Sequence, residues 1–65
     1  MMHYIEYYGT DGDPELRELK IYAHATEDAL ARFYEETRDM HGAVPQIHCI
    51  DIEIGVKEQA DIVVK

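Results

Sequence analysis

Apolar residues recur with a helical period in only one stretch of this chain, between Thr26 and His41, whereas the other patterned stretches alternate with a period of two. One helix can cover one face of a sheet and no more. A fold built from these parts therefore has a dry layer between helix and sheet and a second sheet face that the helix leaves open. The stretch opens on Thr26, a hydroxyl suited to capping free N–H groups, followed by Glu27 and Asp28 where the helix dipole favours carboxylates. Ala29, Leu30, Phe33, Thr37 and Met40 form its apolar stripe, with Tyr34 at the border. Gly42 supplies a stop and Pro45 forbids continuation, which predicts a helix over 27–41.

The flanking segments read as strands. Residues 2–8 are rich in β-formers and end at Gly9. Gly9-Thr10-Asp11-Gly12-Asp13-Pro14 then concentrates turn residues, predicting a hairpin. Leu19, Ile21 and Ala23 alternate with Glu18, Lys20 and Tyr22 in a second strand over 16–23, and Ile50, Ile52 and Ile54 alternate with Cys49, Asp51 and Glu53 in a third over 47–54. Residues 61–64 offer a short fourth. The expected fold is α+β: one antiparallel sheet in β-β-α-β order, arranged 2-1-3 or 2-1-3-4, with a right-handed crossover carrying the helix across one face. Residues 1–65 make one domain.

Parity assigns the faces. Burying an unpaired Glu6 is costly, so Ile5 faces the helix with Tyr7 at the border. Tyr4, Tyr8 and Tyr22 then share the open face with Glu6, Glu18, Asp51 and Glu53. Tyrosine suits protein interfaces because it joins apolar area to a polar handle, although it is also a good strand former in its own right.

The net charge is −8 on 65 residues. It is spread evenly, with five carboxylates and two cations in 1–25, the same in 26–42, and four and two in 43–65. Such a chain is repelled by phosphate backbones and anionic lipids, which excludes direct nucleic-acid and membrane binding and favours a basic protein surface. Asp11, Asp13 and Glu15 in the first turn, with Glu27, Asp28, Glu35, Glu36 and Asp39 on the outer helix face, are the candidate contacts, and Tyr4, Tyr8 and Tyr22 the candidate anchors. A charged outer helix face also serves solubility alone. Asp28 with Arg32, and Glu35 with Arg38, have pairing distance on a helix.

Other chemistry finds little footing. Asp11 and Asp13 share the spacing of a calcium loop, yet its twelfth position is Tyr22 rather than Glu. His3, His24, His41, His48 and Cys49 are scattered without the spacing of a zinc site. Asp51 with Glu53, or Cys49 with a histidine, would need a cleft that so small a sheet scarcely offers. No catalytic residue, metal or cofactor is expected. The single cysteine excludes an internal disulfide and fits a reducing, cytoplasmic setting. No apolar run spans a bilayer. A monomer is expected.

The passage Lys20-Ile21-Tyr22-Ala23-His24-Ala25-Thr26-Glu27-Asp28-Ala29-Leu30-Ala31-Arg32-Phe33, with the size and acidity of the chain, resembles small phage-encoded inhibitors, especially anti-CRISPR proteins of type I systems. The resemblance implies a non-enzymatic inhibitor in the host bacterial cytoplasm. It would bind a basic DNA-binding surface of a CRISPR surveillance complex, its carboxylates standing where DNA phosphates lie. The alternative is an interaction module that uses the tyrosine-rich sheet face or a free edge strand.

Overall fold

The computed structural model describes residues 1–10, 12 and 14–65. Asp11 and Asp13 lie outside the described residues. Among the described residues, four strands and one helix follow in the order β1 (Met2–Tyr8), β2 (Leu16–Tyr22), α1 (Thr26–Thr37), β3 (Gln46–Glu53) and β4 (Ile62–Val63), with a 3-10 turn at Lys57–Gln59 before β4. The architecture is α+β, a four-stranded sheet with α1 against one face. No helix is long and apolar enough to cross a membrane among the described residues.

β1 lies at the centre, antiparallel to β2 on one side and to β3 on the other, which confirms the 2-1-3 arrangement. The fourth strand departs from the expected 2-1-3-4. It joins β2 in parallel, so the sheet order is β3-β1-β2-β4 and the sheet is mixed. Handedness accounts for the path the chain takes. β2, β3 and β4 run parallel; α1 carries the chain from β2 past β1 to β3, and the return to β4 travels the opposite way. For both crossovers to be right-handed they must use opposite faces. The return therefore passes over the face that α1 leaves open, where Gly55 presses on Met2. A Cβ placed on Gly55 would stand 2.9 Å from the Cβ of Met2, and Met2 is fully buried. Asp61 fastens the arriving chain to β2: its N–H donates to the Lys20 carbonyl at 2.9 Å while its Oδ2 accepts from the Lys20 N–H at 2.9 Å.

The core sits between α1 and the sheet. Ile5, Ile21, Ala23, Ala29 and Phe33 are fully buried, with Tyr7, Leu19, Ile47, Ile50, Ile62 and Val64 packed around them. Tyr7 meets Phe33 edge-on, ring centroids 5.0 Å apart, a geometry that adds about 0.5–1.5 kcal/mol beyond area burial. His3, on the same pleat side as Ile5, is also fully buried. Its Nδ1 lies 3.3 Å from the Ile21 carbonyl and its Nε2 3.2 Å from Thr26 Oγ1. A carbonyl only accepts, so Nδ1 carries a proton and donates to Ile21, while Nε2 shares a hydrogen bond with the threonine hydroxyl.

That bond corrects the reading of Thr26 as a cap. Ala25 is the N-cap and no side chain caps the helix, because the Thr26 hydroxyl is turned inward to His3. The helix also stops at Thr37 instead of reaching His41. Asp39 explains the early end: its Oδ1 accepts from the N–H groups of His41 and Ala43, both at 2.9 Å, and its own N–H donates to the Ala43 carbonyl. A side chain that satisfies backbone donors locally competes with helix continuation. Gly42, at φ +83°, makes the turn possible. Met40, expected in the apolar stripe, is consequently 91% exposed.

β3 holds the second departure. Its register slips between Glu6 and Tyr7, so Ile5 faces Ile50 while Tyr7 faces Ile47, and His48 is the extra residue of a bulge. Ile47 and Ile50, three apart, thereby reach the same core. Ile52 and Ile54, which strict alternation assigned to the core, are 47% and 99% exposed, because the buried helix residues meet β1 and β2 and leave this end of β3 uncovered.

Candidate protein-binding face

On the face opposite α1, the pairing register lays side chains out as a grid. One row runs Glu18, Glu6, Cys49 across β2, β1 and β3; the next runs Lys20, Tyr4, Asp51; the third runs Tyr22, Met2, Glu53. Four carboxylates thus share the strands of this face with one cation, Lys20. Glu6 and Glu18 stand directly opposite each other, an arrangement that disfavours pairing through like-charge repulsion.

Cys49 sits among them. Its Sγ donates to Glu6 Oε1 at 3.2 Å. That bond, followed by desolvation and then the charges of Glu6, Asp51 and Glu18, holds the thiol above its ordinary pKa. A thiol held protonated is a poor nucleophile, since the thiolate is the reactive form. The ligand atoms of Glu6, Cys49 and Asp51 lie within 4.8 Å of one another, so these three side chains could hold a divalent cation. Binding there would first have to remove the proton that the neighbouring carboxylates retain on sulfur.

The bulge also changes where His48 stands. Adjacent residues of a regular strand point to opposite faces, yet the His48 ring meets Tyr8 edge-on with centroids 5.8 Å apart. Tyr8 belongs to the open face, so His48 borders it too.

Of the residues singled out from sequence, Tyr4 and Tyr8 occupy this face, each half-buried. Tyr22 is there as well, but the returning chain walls it in: together with His24, Val56, Lys57, Val63 and Lys65 it lines a groove of about 460 Å³. The acidic set is dispersed. Glu15, Glu27, Asp28 and Glu35 are exposed. Glu36 is paired with Arg32 Nε at 2.9 Å, the partner Arg32 takes in place of Asp28. Asp39 is occupied with its own loop. The carboxylates that the fold gathers on one surface are instead Glu6, Glu18, Asp51 and Glu53. Their parity relative to Ile5 places them there, and the sequence pattern alone marks them as surroundings for the tyrosines rather than as contacts. No family model, curated protein or solved structure matches this chain.

Proposed function

We propose that this chain is a non-enzymatic binding protein that occupies a basic, nucleic-acid-binding surface of another protein and blocks it. The observation that carries the reading is the grid of Glu6, Glu18, Asp51 and Glu53 around Tyr4 on a broad sheet face with one strand cation, Lys20. Carboxylates steer a basic partner into contact and the tyrosine supplies apolar area once it arrives. The helix surface with Glu27, Asp28 and Glu35 extends the same potential around the molecule. By its sequence resemblance, the partner is a DNA-binding subunit of a type I CRISPR surveillance complex, and the protein acts in the cytoplasm of the infected host.

The test is to immobilise the protein, pass bacterial lysate over it, elute in steps of salt, and assay the eluted complex for DNA binding with and without added protein. The reading expects a complex that elutes at moderate salt, fails to shift DNA while the protein is bound, and is no longer captured by a Glu18→Lys/Asp51→Lys variant. Capture that survives charge reversal, or a captured complex that still binds DNA, refutes it.

A further inference from the structure

Among the described residues, β3 is the one long strand of this sheet with a free edge. It spans eight residues, pairs only with β1, and ends the sheet order, whereas the opposite edge is the two-residue β4. Natural sheets blunt such edges with prolines, lysines, inward-pointing charges or bulges, and β3 carries one of these, the bulge at His48, which leaves Cys49–Glu53 as its regular stretch. Gln46–Glu53 contains no proline and no lysine, and none of its carboxylates points toward α1.

The two sides of that edge differ in chemistry. On the open face it carries Asp51 and Glu53, both exposed. On the helix face it carries Ile50 and the half-exposed Ile52, with Ile54 fully exposed just beyond the strand. A second copy of the chain is a poorer occupant, because its β3 offers no lysine or arginine to lie beside Asp51 and Glu53.

We propose that the β3 edge receives an extended segment of a basic partner by strand addition, with cationic side chains alternating with aliphatic ones. The backbone of the segment pairs with β3, its cations lie beside Asp51 and Glu53, and its aliphatic residues cover Ile50, Ile52 and Ile54. The inference rests on the preceding reading that the partner is basic, and adds where that partner docks and in what conformation.

Two peptides of equal charge separate these claims: Lys-Val-Lys-Val-Lys-Val-Lys, and Lys-Pro-Lys-Pro-Lys-Pro-Lys, whose prolines remove backbone donors. Each is titrated into the isotopically labelled protein at low salt, with amide shifts and hydrogen exchange as readouts. The expected result is slowed exchange at alternate residues of Gln46–Glu53 with the valine peptide, and affinity for the proline peptide weaker by roughly tenfold or more. Ile52→Lys, and separately Asp51→Lys/Glu53→Lys, should each weaken the valine peptide by a similar factor; both alter exposed positions, and circular dichroism checks that the variants fold. Equal binding of both peptides, or shifts confined to the helix, overturns strand addition and leaves the acidic-surface reading standing. Binding of neither overturns both. Protection of 46–53 that grows with protein concentration alone assigns the edge to a second copy, and so overturns the proposal.

Discussion

Gly55→Ala tests the path of the returning chain. The new methyl group would stand 2.9 Å from Met2 Cβ, closer than carbon atoms approach without displacement, while Met2 Cγ and Cε lie farther off, at 3.5 and 3.6 Å. Overfilling a tight site costs about 1–3 kcal/mol. Replacing glycine also restricts the unfolded chain, which returns about 0.4–1 kcal/mol, so the net destabilisation is about 1–2 kcal/mol. In a domain of this size each kcal/mol lowers Tm by about 4–8 °C. The assay is thermal unfolding followed by circular dichroism, on Gly55→Ala, Met2→Ala and the double variant. Because the closest atom is Cβ, which alanine retains, Met2→Ala should fail to relieve the clash, and the two changes should be close to additive. A Gly55→Ala protein as stable as the parent would refute the close passage of Gly55 over Met2. So would full rescue by Met2→Ala, which would locate the crowding at the flexible end of the methionine.

Thr26→Val removes the hydroxyl bonded to His3 while keeping the shape of the side chain, and should cost about 1–3 kcal/mol by stranding a buried ring nitrogen. Thr26→Ser should recover most of this, as read from urea unfolding. Gly42→Ala forces a side chain into φ +83° and should cost about 1–2 kcal/mol even though no atom crowds the site; its Tm checks the value. Phe33→Ala empties the centre of the core and should cost about 3–5 kcal/mol, enough to leave much of so small a domain unfolded by far-UV circular dichroism. Cys49 should alkylate slowly in the mildly alkaline range, and Glu6→Gln should speed it by lowering the thiol pKa. Since the folded thiol holds its proton more tightly than the unfolded one, its contribution to stability is fully present below the unfolded thiol's pKa of about 8.5, and fades as pH rises through the folded value. Stability that rises across that range would contradict the bond to Glu6.

Period and parity made most of the fold legible. Ile5, Ile21, Ala23, Ala29 and Phe33 are buried where alternation and helical spacing placed them, and the three-strand order follows from one helix carrying the chain between the parallel strands that flank β1. The misses share a cause: each depends on an interaction distant in sequence or on a local competitor that periodicity does not register. Thr26 carries the chemistry of a cap but lies beside a buried histidine from β1. Asp39 carries the charge of a helix face but closes a turn. Ile52 and Ile54 keep perfect alternation, yet the helix does not reach their end of β3, while a bulge at His48 brings Ile47 to the core. Met2 shares the parity of Glu6 and is buried only because the chain returns over it. The same limit applies to the candidate face, where Tyr4 and the strand carboxylates were legible from pleat alternation, whereas the walling-in of Tyr22 required the route to β4.

The central position of β1 governs the order in which the sheet can assemble. Its pairing with β2 closes one hairpin loop, and α1 needs only its neighbours in sequence, so these parts can form early. Pairing with β3 joins residues from opposite halves of the chain, and β4 docks against β2 across a similar span. Closing long loops comes late because its entropy must be spent before any contact repays it. Until that happens β1 has a bare flank of its own, lined by the residues that later meet β3. The folding chain therefore presents two docking edges in succession, first that of β1, satisfied from within the chain, and then that of β3, which the finished sheet keeps.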